Sequence, residues 1–513
     1  MSNSTAANRT DKFVRNVIGS AILQIVTVIT GFISPRLMLT TFGSEINGIT
    51  SSIMQFISYL TLVEAGLSNA TVFALYKPLA DGDTKARDSV ISAAKISYYR
   101  IGFLFVGLSV ALAAIYPFIG EQSSLSYFEM FALVLVLCCN STFNFFILAK
   151  YRTLLTADQC GYAVSLSNAI QLVVHLAIVF VTIKLGMGVV WVRGLGILSF
   201  FVTSAVLALY TRHKYGKINY KAEPNMKALD KRWDAMGLQI MGVVATGAPV
   251  VIMTAILDFK QISVYSIYNM IAGSVATCIS VFTNGLSASF GNIYAIGDKA
   301  LLKKTTEEFR TAFYILVTIV YTVMLTCLVS FVGIYTEGIT DVNYIVPVFA
   351  ILITVKGLLD NFKAPHGMLI YSFGKFKAIR RQTAIQTVLI IVSTVGLTWW
   401  LGLNGAMLAL CIANLYMLVE LLILSPKELV DMSILKNVRQ IVQMLVVVFG
   451  VYGISLIVPF QPTTYLQWLL YAIVVGVVSL IVTVGVFLIF DRKETISVWK
   501  RMLAFVNKKR KNS

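Results

Sequence analysis

Lys356, Asp360 and Lys363 fall at i, i+4 and i+7 of an otherwise apolar stretch, which puts two ammonium groups and one carboxylate on one face of one helix. An ionisable group at the centre of a membrane helix costs on the order of 2.5–3.5 kcal/mol on insertion scales. Pairing of Asp360 with both lysines lowers that cost and is a sufficient structural reason for the cluster. It still leaves one positive charge in excess. An excess cation in a polar cavity suits a phosphate, through charge-assisted hydrogen bonds. Arg100 is a further deep cation and Glu64 a further deep carboxylate, so Arg100, Lys356 and Lys363 are candidate anion ligands. Glu64 and Asp360 are candidates for coupling to protons or sodium. Lys95, Glu129 and Glu420 lie nearer the ends of apolar stretches, where long side chains snorkel to water. His175 is expected to be a satisfied core residue.

A second group of residues bears on solvent access. Ser20, Gln24, Thr27, Gly31 and Ser34 recur at spacings of three and four, and Ser51, Gln55, Ser58, Thr61, Glu64 and Ser68 repeat the pattern one segment later. Further along, Gln239, Gly242 and Thr246 are followed by Ser266, Asn269, Gly273, Thr277, Ser280 and Asn284. Small and hydroxyl residues let membrane helices approach closely, so these stripes read as helix packing. They read equally as the lining of a cavity by Gln24, Gln55, Ser58, Asn269, Ser280 and Asn284. The sequence has no phosphate-cradling glycine loop, HExxH, nucleophile elbow or metal-ligand spacing. Neither catalysis nor a cofactor or metal is therefore expected.

The elements that carry these residues follow from composition. The chain has 513 residues, 57% hydrophobic and 13% charged, with mean hydropathy +0.80. Its apolar blocks are about 20 residues long, the length a helix needs to cross about 30 Å of hydrocarbon. The fold class is all-α, a polytopic membrane protein with 14 transmembrane helices. The formal net charge of +18 sits in the short connections, so it is topological and does not indicate a nucleic-acid partner. About 34 of the 42 Lys and Arg fall on one side of the proposed spans, which makes that side cytoplasmic and puts both termini there. Connections on the other side, such as Gly120–Ser124 and Pro459–Tyr465, are too short to hold a domain. Met1 to Lys12 is polar and lacks an apolar h-region with a cleavage site, so the first helix is expected to be retained.

At an offset of 215 residues, Leu23-Gln24-Ile25-x-x-Val28 returns as Leu238-Gln239-Ile240-x-x-Val243, Ser51 as Ser266, Asn69 as Asn284 and Gly82-Asp83 as Gly297-Asp298. Six helices separate the copies, so both cross in the same direction, the parallel type of transporter repeat. The organisation expected is a six-helix bundle over 1–210, a basic connection over 211–234, a second six-helix bundle over 235–426, and two additional helices with a basic tail over 427–513. The two bundles would face a central cavity.

Phe42-Gly43-Ser44-Glu45-Ile46-Asn47-Gly48, running into Gln55-Phe56-Ile57-Ser58-Tyr59-Leu60 and Glu64-Ala65-Gly66-Leu67-Ser68, resembles the polysaccharide transporter (Wzx-type flippase) family of the multidrug/oligosaccharidyl-lipid/polysaccharide exporter superfamily. Asp360-Asn361-Phe362-Lys363-Ala364-Pro365 with Phe373-Gly374-Lys375-Phe376-Lys377 looks like that family's segment around the tenth helix. The resemblance implies a flippase carrying an undecaprenyl-diphosphate-linked oligosaccharide from the inner to the outer leaflet of a bacterial cytoplasmic membrane. It also implies a surface-polysaccharide polymerase and glycosyltransferases as partners. The alternative is a drug or cation antiporter of the same superfamily, which would favour cavity carboxylates over Arg100, Lys356 and Lys363. A membrane glycosyltransferase or polymerase would be expected to carry a sizeable loop or catalytic domain, and none is present in the sequence.

Overall fold

The structure is a computed structural model that describes residues 2–511 apart from 65, 120–122, 230–231, 375, 429, 431 and 459. The side chains of residues 2–10, 13, 232–239, 281, 284–289, 371, 376–377, 427–428 and 502–511 also lie outside the description. Gly120, Lys375, Pro459 and the side chains of Gln239 and Asn284, all used above, therefore fall outside the described residues.

Two compact units, Met1–Ser263 and Val264–Ser513, make up the chain. The first contains α1 (Ser2–Leu60), α2 (Leu67–Asp81), α3 (Thr84–Ile119), α4 (Tyr127–Phe143), α5 (Ala149–Ala157), α6 (Gly161–Lys184), α7 (Val189–Gly196), α8 (Leu198–Tyr215) and α9 (Arg232–Ile256). The second is built from α10 (Phe259–Ile296), whose first turn lies in unit 1, α11 (Lys299–Tyr335), α12 (Pro347–Ser372), α13 (Phe376–Glu428), α14 (Ile434–Ile457), α15 (Tyr465–Phe490) and α16 (Arg492–Lys511). Within unit 2, α11 packs against α12, α14, α15 and α16.

Ten segments among the described residues are long and apolar enough to cross a membrane. Two of them, Val14–Glu64 and Ala378–Pro426, run to 51 and 49 residues, about twice the length one crossing requires. Each bends at a glycine with positive φ, Gly43 (79°) and Gly402 (58°), a conformation a side chain would resist. Both are therefore two rods. Two further helices fall outside the criterion: α9, whose apolar part is the short Ile240–Ile256, and α12, which carries three charges. Length and apolarity thus establish ten membrane-crossing segments among the described residues, against the 14 expected from the sequence.

The Gly-Asp pairs at offset 215 form two joints of one design. Gly82 (φ 69°) ends α2 and Gly297 (φ 80°) ends α10. The next residue caps the following helix: Asp83 Oδ1 accepts from the Ala86 N–H at 2.9 Å, and Asp298 Oδ1 from the Leu301 N–H at 2.9 Å.

Helix α9, expected to open the second bundle, packs instead with the first unit. A Cβ on Gly48 would collide with the Phe259 carbonyl, so the second rod of α1 and the start of α10 touch backbone to backbone. Asn47 Nδ2 donates to Ser263 Oγ at 2.7 Å, and the Ser52 and Thr254 hydroxyls share a hydrogen bond of 2.7 Å.

Asp158 ties together the basic end of unit 1. It accepts from Lys12 (3.0 Å), Lys214 (2.5 Å) and the Tyr215 hydroxyl (2.6 Å), while Asn16 bonds the Gln159 carbonyl and the Tyr162 N–H. Burial raises an acid's pKa, but here the bonds from Lys214, Tyr215 and Lys12 outweigh it and hold the Asp158 carboxyl below the usual carboxylate range. A depressed acid contributes stability that is complete above its unfolded-state value and lost as pH falls through its folded value. Asp158→Asn should therefore lower stability by about 2 kcal/mol at pH 7, the range for hydrogen bonds to a charged group. The gap to wild type should close as pH falls below about 4. Thermal unfolding of the detergent-purified protein at both pH values checks this, and a gap independent of pH would mean the carboxylate is not what holds the joint.

Candidate functional site

On α12 the two oxygens of Asp360 each take one lysine: Oδ2 lies 2.9 Å from Lys356 Nζ and Oδ1 lies 3.0 Å from Lys363 Nζ. The i+4 and i+7 spacing that suggested one face thus produces one three-member ion cluster. Lys363 also donates to Asn414 Oδ1 at 2.6 Å, and Gln386 Nε2 donates to the same oxygen at 3.0 Å, so both halves of α13 hold the cluster in place. The triad carries a net charge of +1.

Helix α12 runs through Pro365 to Ser372. A proline in a helix removes one N–H and crowds the preceding turn. Neighbouring polar groups supply partners there. The Tyr314 hydroxyl on α11 donates to the Phe362 carbonyl at 3.2 Å, and Asn361 Nδ2 donates to the Gly357 carbonyl (2.8 Å) and to the Tyr321 hydroxyl (3.0 Å). Gly357 permits that approach, since a Cβ there would meet the Tyr321 ring.

Beside the triad, unit 2 encloses a cavity of about 460 Å³. Asp360, Lys363, Gln386, Thr383 and Thr283 line it together with Met368, Ile370, Ile379, Met417 and Leu421. The lining thus mixes charged, amide and hydroxyl groups with aliphatic side chains, a combination that fits an amphipathic ligand better than a fully hydrated one.

The other expected site residues are placed differently. Arg100 is exposed on α3, on the stripe that carries exposed Phe103, Leu104 and Val110. Its own helix presents it among apolar side chains, the setting of a snorkelling arginine, and gives no support to an anion ligand there. Gln55 Nε2 donates to Ser58 Oγ at 2.9 Å, and both Gln55 and Tyr59 fill the space left by the missing side chain of Gly247 on α9. This pair packs helices. Gln24 and Ser280 are half-buried, Asn269 is exposed, and the Asn284 side chain lies outside the described residues. His175 bonds the Gly196 carbonyl through Nδ1 at 3.1 Å.

Glu64 ends a 3₁₀ turn, Thr61–Glu64, at a break in the helical path before Gly66 (φ 79°). It lies within electrostatic range of Arg152 on α5. At offset 215 the glycine is replaced by Val281, and α10 continues unbroken. Arg310 was not singled out from the sequence, where it follows the polar Lys299–Glu308 run and reads as a helix end. It is 1% exposed, donating to Gln440 Oε1 (3.0 Å), and near it His366 Nδ1 bonds Ser425 Oγ (2.8 Å).

No protein-family model matches the sequence, and no curated protein does. Solved structures are more informative. The chain superposes on the lipid II flippase MurJ in an inward closed conformation with TM-score 0.70, at 16% identity over 92% of this chain and 99% of that one. The two share a fold. An inward-facing multidrug resistance MATE transporter matches with TM-score 0.61, at 14% identity over 84% of this chain and 99% of that one. A MOP-superfamily transporter from Pyrococcus furiosus, described by the reversed polarity of its binding pocket, matches with TM-score 0.59, at 14% identity over 85% and 96%. At these identities the likeness concerns the fold, and this chain is a multi-pass helical membrane protein with a transporter fold.

Water access to the cavity is testable. In a cysteine-free background, Thr383→Cys and Gln386→Cys should react with a small hydrophilic thiol reagent at least about tenfold faster than Val477→Cys on α15, because a thiol ionises in water and stays protonated in apolar surroundings. Equal protection at all three positions would mean the cavity is dry.

Proposed function

We propose that the protein is a flippase that moves a polyprenyl-diphosphate-linked oligosaccharide between the leaflets of a bacterial cytoplasmic membrane, for surface polysaccharide synthesis. The observation that carries this reading is the net-cationic triad Lys356–Asp360–Lys363 beside a cavity lined by both polar and aliphatic side chains. A diphosphate is anionic and sits where a sugar chain meets a lipid chain, so its neighbourhood needs cations, amides and apolar walls together. In this reading Lys356 and Lys363 hold the diphosphate, exchanging part of their contact with Asp360 for phosphate oxygens. Gln24, Asn269, Ser280 and Asn284 meet sugar hydroxyls. The 1–210 and 235–426 bundles alternate access, with both termini cytoplasmic. Glu64 and Asp360 take the coupling ion, and a polymerase and glycosyltransferases act before and after transport. A flippase for a lipid-linked substrate among the matching folds supports the same assignment.

A cation antiporter is the rival, and the same triad argues against it, since an unpaired carboxylate would serve a cationic substrate better. Hydrogen bonds to charged groups contribute about 1.5–3 kcal/mol, equivalent to about 10- to 100-fold in affinity. Lys356→Gln with Lys363→Gln should therefore abolish most surface polysaccharide in a complementation assay normalised to membrane-inserted protein, and Lys356→Arg should keep part of it. Full activity of the double variant would place the phosphate elsewhere. Efflux of cationic dyes conferred by the wild-type protein, without any effect on polysaccharide, would favour the antiporter.

A further inference from the structure

A second cationic cluster lies within unit 1, and it contains Lys95, which the sequence alone presents as a snorkelling residue. Lys95 on α3 and Lys150 on α5 both approach the ring of Tyr220, at 6.0 and 5.1 Å from its centroid. Lys95 also lies 5.5 Å from the Tyr99 ring, and Lys150 lies 5.1 Å from the Tyr151 ring. All five side chains are half-buried. The two ammonium groups are close enough to act on each other electrostatically. Neither is ion-paired among the described residues.

The neighbouring carboxylate, Asp88, is already engaged. Its Oδ1 accepts both Nε and Nη2 of Arg87 (2.9 and 2.7 Å) and its Oδ2 accepts the Asn219 N–H (3.0 Å). Glu223 is exposed and contributes its carbonyl, which accepts from Ser89 Oγ at 2.6 Å. These bonds dock the connection after α8 onto α3 and set Tyr220 in place, with its ring edge-on to Tyr151 at 6.5 Å. The arrangement is thus built from three separate parts of unit 1. An aromatic face attracts one cation, but two cations drawn to the same ring repel each other, and an anion carrying more than one negative charge relieves that repulsion.

We propose that Lys95 and Lys150, around Tyr220, form a binding site for a phosphoryl group of at least two negative charges, either a phosphate-bearing lipid headgroup or a soluble diphosphate. The ammonium groups donate charge-assisted hydrogen bonds to its oxygens. The site lies wholly within unit 1 and stands whether or not Lys356 and Lys363 hold a substrate.

Thermal unfolding of the full-length purified protein tests the site, with and without added ligand, in wild type and in a Lys356→Gln, Lys363→Gln background that removes the other proposed phosphate ligands. One arm titrates sodium pyrophosphate into detergent-solubilised protein, with sodium sulfate at matched ionic strength as reference. The other compares nanodiscs containing phosphatidic acid with nanodiscs of phosphatidylcholine alone. Lys95→Gln and Lys150→Gln should each raise the half-saturating ligand concentration at least about tenfold, the loss of one charge-assisted bond. Arginine at either position should restore part of the binding, and Lys85→Gln, an exposed neighbour, should leave it unchanged. Ligand-free melting of each variant reads folding separately. Stabilisation by phosphatidic acid alone assigns the site to a lipid headgroup, and stabilisation by pyrophosphate assigns it to a soluble anion. Identical ligand responses in wild type and the Lys95→Gln, Lys150→Gln double variant, in both arms, would overturn the proposal.

Discussion

Hydrocarbon supplies no hydrogen bonds, and most of this structure follows from that deficit. Backbone groups are satisfied within helices, and buried hydroxyls turn back on their own helix. On α11, Thr306, Thr318 and Thr322 each donate to the carbonyl four residues earlier, at 2.7 Å. This lets α11 stand at the centre of unit 2 while carrying polar side chains. The same demand explains why the turn before Pro365 draws in the Tyr314 hydroxyl, and why Asp360 engages both lysines. An ion cluster in such surroundings persists because each charge is another's solvent.

What the sequence made legible was whatever depends on residues near one another in the chain. Apolar block length gave the helices, and helical periodicity gave the Lys356–Asp360–Lys363 face. The offset of 215 residues picked out two glycine-aspartate joints that prove to be built alike. Features set by distant partners were not legible. Arg310 is buried by α14, which is remote from it in sequence. Helix α12 continues through Pro365, and the Tyr314 hydroxyl of α11 that bonds the nearby Phe362 carbonyl comes from a partner remote in sequence. For Arg100, depth along a helix was readable from the sequence while the direction of the side chain around it was not.

The superfamily fold is common to proteins named for lipid flipping and for multidrug resistance, so the scaffold alone does not select a substrate.

The joints at Gly82-Asp83 and Gly297-Asp298 have a mechanical consequence. A glycine ends one helix and the next residue's carboxylate caps the following one, leaving no slack between them. Neither α2 against α3 nor α10 against α11 can lengthen its connection, so a tilt imposed on one rod is passed to its neighbour as rotation about a short elbow. Each joint therefore fixes the residue at which the second helix of the pair begins, and the change of direction falls on the glycine.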